Sequence, residues 1–124
     1  MSAESATLAQ VSDGFAAAVE TAAASTVLVN ARRRIPASGV IWSADGTIVT
    51  ADHVVERDEV EVVLPDGTKH SATIAGRDPG SDIAVLKIAA SGLAAAVRAP
   101  AGSAKVGSLV LALGRPTSEG PMAS

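Results

Sequence analysis

Asp45-Gly46 and Asp66-Gly67 each stand between two short runs of strand-forming residues. An Asp-Gly pair adopts the positive φ angles that a tight hairpin turn demands, so each pair predicts two antiparallel strands joined locally. The runs "SGVIWS" and "TIVTA" flank the first pair, and "VEVVLP" and "KHSATIAGRD" flank the second. Val60 and Val62 alternate with Glu59 and Glu61, and Ala72 and Ile74 with Ser71 and Thr73. That is the rhythm of a strand with one buried face. "STVLVNA" (25–31) is rich in β-branched residues. "DIAVLKI" (82–88) is almost wholly apolar, which predicts a strand covered on both faces. "SLVLALG" (108–114) reads as a last apolar strand. Short strands punctuated by turn signals in this way predict a small barrel or sandwich.

Outside the strands, "TLAQVSDGFAAAVETAAA" (7–24) predicts one helix, because Leu8, Val11, Phe15, Ala18 and Val19 recur at helical spacing. Its apolar stripe is expected to pack on the rest of the molecule. Gly14 weakens its middle by up to ~1 kcal/mol. "AASGLAAAVRAPAGSAKVG" (89–107) is broken by Gly and Pro and predicts a long connection. "RPTSEGPMAS" ends the sequence in turn-formers, with no closing element expected.

The interior of such a barrel has to be built without rings. Hydrophobic residues make up 48% of the 124-residue chain, yet Phe15 and Trp42 are its only aromatics. Ala, Val, Leu and Ile must fill the core, and each buries less area than an aromatic ring. A domain of this size and chemistry is expected to be marginally stable. The net charge of −3 excludes a basic nucleic-acid footprint, and Arg32-Arg33-Arg34 reads as a solvated loop. The absence of cysteine excludes disulfides, thiolate catalysis and Cys-ligated metals. No apolar run approaches the roughly 20 residues of a membrane span. "MSAESATLAQ" has neither the basic n-region nor the apolar h-region of a signal peptide.

Two titratable residues flank the most apolar strands: His53, after "TIVTAD", and Asp82, before "IAVLKI". One complete hairpin separates them. An imidazole acting as general base needs a carboxylate that fixes its tautomer and stabilises the imidazolium. Spacing alone favours a structural role for both residues. His70 reads as a solvent-facing strand residue, Asp52 as the cap of a short helical turn, and Asp78, before Pro79, as a turn residue.

The blocks "SGVIWSADGTIVTADHVV" and "VEVVLPDGTKHSATIAGRDPGSDIAVLKI" resemble the first half of a trypsin-like serine protease of the HtrA (high-temperature-requirement, Deg) type. The likeness is carried by Ser38-Gly39, Asp45-Gly46, Thr50, His53-Val54-Val55, Asp66-Gly67, Asp78 and Asp82 through Lys87. "VGSLVLALGRP" resembles the strand and turn that lead from the first barrel to the second. The resemblance implies an all-β fold: the N-terminal β-barrel of a double-barrel protease, over residues 25–116, preceded by a helical segment at 1–24. Residues 117–124 would begin a second barrel. It implies His53 as general base, Asp82 as the carboxylate that orients it, and Trp42, Ile48, Val49, Ile83, Val85 and Leu86 as barrel core. Polypeptides are the implied substrates, and no metal or organic cofactor is implied. Members of the family are typically exported or membrane-tethered.

The family's nucleophile lies in Gly-x-Ser-Gly-Gly within the second barrel, and this sequence has no such motif. Ser118, in "SEGP", is the nearest imitation and lacks the second glycine. Three readings follow. The chain is the N-terminal part of a serine endopeptidase, holding His and Asp but not Ser, and is inactive alone. It is a half-protease that pairs with itself or a partner as a binding or regulatory module. Or it is a small hydrolase using Ser118 or Ser103.

Overall fold

The computed structural model describes residues 2–124. Six strands close into an antiparallel barrel: β1 (Thr26–Asn30), β2 (Ala37–Ser43), β3 (Thr47–Thr50), β4 (Val60–Val63), β5 (Lys69–Asp78) and β6 (Ile83–Ile88). Their order around the barrel is β1-β2-β3-β6-β5-β4, with β4 pairing back on β1. Both Asp-Gly pairs lie in the expected hairpin turns, β2 to β3 and β4 to β5, with only the glycine of each pair at positive φ. Asp45 fastens the first: its carboxylate accepts from Ser43 Oγ at 2.5 Å and Thr47 Oγ1 at 2.9 Å. Gly46 follows with φ 101°, and a Cβ there would lie 2.3 Å from the Ile88 carbonyl oxygen. Glycine is therefore required by both conformation and space. Asp66 repeats the device with Thr68, at 2.7 Å.

The core is aliphatic. Val27, Val29, Ile41, Ile48, Val62, Leu86 and Ile88 are its largest fully buried side chains. Gly39 lets three strands crowd together, since a Cβ would meet Val29 Cγ2 at 2.9 Å and Ile48 Cγ2 at 3.0 Å. Of the six residues expected in the core, only Ile48 and Leu86 are fully buried. Strand alternation explains the rest. Ala37, Gly39 and Ile41 point inward on β2, which turns Trp42 outward, 41% exposed. Arg98 covers its ring at 4.4 Å. β6 buries Ala84, Leu86 and Ile88, leaving Ile83 44% exposed and Val85 half-buried, as is Val49 on β3. β6 is thus covered on one face, and its second apolar row looks outward.

The helix α1 runs over Ala3–Ala23, four residues longer at its start than its periodicity predicts, because Ser2 caps it by accepting from Ser5 N at 3.1 Å. No α1 residue is buried: Leu8 is 71% exposed and Phe15 38%. The expected packing of the whole stripe is therefore not realised. The irregular connection expected at 89–107 forms and runs on to 112.

The expected strand at 108–114 is displaced. Leu109 and Val110 are exposed and unpaired, and β7 forms at Leu113–Thr117. It pairs with β8 (Gly120–Ala123), so the sequence ends in a hairpin where only turn-formers were expected. Arg115 sets this register. It is buried; Nε donates to Thr26 O at 2.8 Å and Nη2 to Ala23 O at 3.0 Å, while its backbone N–H reaches Ser38 Oγ at 2.7 Å. The hairpin is thereby fixed to the end of α1 and the start of β1.

Candidate active site

β3 and β6 run antiparallel with Thr50 opposite Ala84. Three residues past Thr50 and two before Ala84, the chain is at His53 and Asp82, so strand register alone delivers both to the same barrel rim. The buried Thr50 anchors that end through its hydroxyl, which donates to Ser38 O at 2.8 Å. Beyond β3 the chain makes one 3-10 turn, Asp52–Val54, which carries His53.

Asp82 meets this turn at three points. Its Oδ2 lies 2.7 Å from His53 Nδ1, and its Oδ1 accepts the His53 backbone N–H at 2.8 Å. Its carbonyl accepts the Asp52 N–H at 3.1 Å. Asp82 holds φ 58°, a left-handed conformation that aspartate tolerates better than most residues. The backbone N–H of His53, then its ring, hold the Asp82 carboxyl below the usual carboxylate range. An ionised carboxylate only accepts, so Nδ1 bears the proton and Nε2 of a neutral ring presents a lone pair. A ring held in this way can act as a general base.

The pair stands open. The His53 side chain is 67% exposed and that of Asp82 50%. Among the described residues no hydroxyl hydrogen-bonds to Nε2. An apolar groove of about 900 Å³ lies between α1 and residues 94–97 and includes neither residue.

Asp52 does not cap the turn as expected. It is buried, and its Oδ1 accepts from Arg77 Nε at 2.5 Å. Arg77 Nη2 donates to the carbonyls of Asp52 and Val55, at 3.2 and 3.0 Å. Sequence reading missed this arginine, since a single Arg near a strand end carries no local signal. Asp78 does form a turn, accepting from Gly80 N and Ser81 Oγ. His70 sits half-buried on β5, opposite Val62.

With this geometry in hand, the likeness to known proteins is informative. Residues 37–124 match the family described as trypsin-like peptidase domain. A probable periplasmic serine endoprotease, DegP-like, of Ectopseudomonas mendocina is 44% identical over 80 residues, 64% of this chain and 17% of that protein. The serine endoprotease DegS of Haemophilus influenzae is 41% identical over 88 residues, 70% of this chain and 26% of that protein. The chain therefore spans about a sixth to a quarter of these relatives' length. The crystal structure of a serine endoprotease from Yersinia pestis superposes with a TM-score of 0.77 at 34% identity, covering 86% of this chain and 40% of that one. The closed six-stranded barrel, the leading helix and these relatives place the chain in the trypsin-like peptidase family, of the HtrA/Deg type.

Proposed function

We propose that these residues form the base-and-carboxylate half of a serine endopeptidase acting on polypeptides. His53 takes the proton of an attacking serine at Nε2 and returns it to the leaving amine. Asp82 holds the ring and stabilises the imidazolium. The observation that carries this reading is the paired approach of one carboxylate to the His53 ring and backbone, at 2.7 and 2.8 Å, on an open rim. The nucleophile and the oxyanion donors come from polypeptide that these 124 residues do not contain. Each such donor is typically worth about 2.7–4 kcal/mol of barrier. The chain by itself is therefore inactive.

A fluorophosphonate probe tests this. The 124-residue chain should take no label, and a longer protein supplying a Gly-x-Ser-Gly-Gly segment should be labelled at that serine. His53→Ala should abolish that labelling. Labelling of Ser103 or Ser118 in the short chain, or His53-independent labelling of the long one, would refute the assignment.

A second reading, a half-protease that binds a partner or itself, is favoured by one feature. Val97, Leu109, Val110 and Met122 are all strongly exposed. It requires dimers or larger species on sizing chromatography at micromolar concentration, and a stable monomer would remove its support.

A further inference from the structure

We propose that Arg77 is the positioning residue for His53: it grips the acceptor side of the turn whose donor side Asp82 grips. The turn is too short to hold its own shape. Its internal bonds are Val54 N to Ala51 O at 3.4 Å and Val55 N to Asp52 O at 3.1 Å. Hydrogen-bond geometry in single 3-10 turns is poor. Asp82 takes the backbone N–H groups of Asp52 and His53. The acceptors of the same turn, Asp52 Oδ1, Asp52 O and Val55 O, all go to one guanidinium. A planar fork can serve three such acceptors at once, and an ammonium cannot match its geometry.

The placement is not local in sequence. A bulge in β5 between Ile74 and Gly76 shifts its register against β6, so that Arg77 faces Ala84. Both grips therefore flank the turn that joins β5 to β6, Arg77 near the end of β5 and Asp82 just before β6. The Asp52 carboxylate is buried, and Arg77 is the one side chain that hydrogen-bonds to it among the described residues. Removing Arg77 leaves a buried charge unpaired, and the turn must open to hydrate it. The His53 ring hangs from that turn and swings away from Asp82 with it.

The structural claim stands on geometry, and its catalytic consequence rests on the proposed role of His53. The test therefore has two arms. In the 124-residue chain, ring nitrogen shifts by 15N NMR at alkaline pH report which nitrogen bears the proton. The wild type should show the Nδ1–H form. Arg77→Ala should move toward the Nε2–H form preferred by free histidine, as an Asp82→Asn control does, and Arg77→Lys should fall between. An unchanged tautomer in both arginine variants, with core methyl resonances intact, would overturn the proposal. Should Arg77→Ala fail to fold, Arg77→Lys and Asp52→Asn decide by the same criterion. In a longer protein with the serine, Arg77→Lys should lower kcat about 10- to 100-fold with KM within about twofold. If that protein is also indifferent to His53→Ala, the catalytic reading has failed, and the tautomer result still judges Arg77.

Discussion

Asp82 performs three tasks with one short side chain and one strained backbone. It orients a ring, receives a backbone N–H at each of two oxygens, and turns the chain into β6. Its acidity follows from the first two. Because its pKa is depressed in the fold, its contribution to stability is present above the ordinary aspartate value of 3.8 and is lost as pH falls below it. A 13C titration of the Asp82 carboxyl should therefore show a midpoint below 3.8. His53→Ala should raise that midpoint only in part, because the backbone donor at position 53 survives the substitution. A midpoint unchanged by His53→Ala would mean that the ring does not contribute. This residue pair was legible as a pair of candidates in the sequence, since a titratable group at the edge of an apolar strand is conspicuous. Arg77 was not, because nothing near it in sequence names Asp52 as its partner.

The hairpins are the elements most directly written in the chain. Asp-Gly turns are specified within four residues, so both formed where expected. Gly46→Ala should be costly, at more than ~2 kcal/mol, from left-handed strain and a clash with the Ile88 carbonyl together. Urea denaturation compared with Gly67→Ala separates the two effects, because no atom lies within 4 Å of a Cβ at Gly67. Equal losses at both glycines would remove the steric part. The terminal hairpin behaves differently. Its strands are short and contain Gly and Pro, while the more apolar 108–112 stays outside any sheet. Local propensity lost there to the buried anchor at Arg115. Arg115→Met should cost about 1–3 kcal/mol, since it strands the Thr26 and Ala23 carbonyls. Hydrogen exchange should then show early loss of protection over β7 and β8. Unaltered protection would refute the anchor.

At the scale of the molecule, a barrel whose core holds no aromatic side chain has little stability in reserve. Truncating Ile48 or Leu86 to alanine typically costs about 2–5 kcal/mol, against a total of about 5–15 for a domain. Either variant should show a sharply lower Tm by circular dichroism, and Trp42→Ala a much smaller change, because its ring lies outside the core under Arg98. Comparable losses at Trp42 and Ile48 would contradict this division.

What the sequence determined by itself was the six barrel strands, the two tight turns, the aliphatic interior and the two rim residues. Those follow from interactions within a few residues: φ preferences, alternation and side-chain chemistry. Tertiary structure decided which face of β2 and β6 is inward, where the last strand begins, and that Arg77 reaches round to Asp52. These choices depend on closure of the barrel and on the β5 bulge, which bring together groups far apart along the chain. A one-residue change in phase exchanges the two faces of a strand, and only the whole set of pairings selects between them.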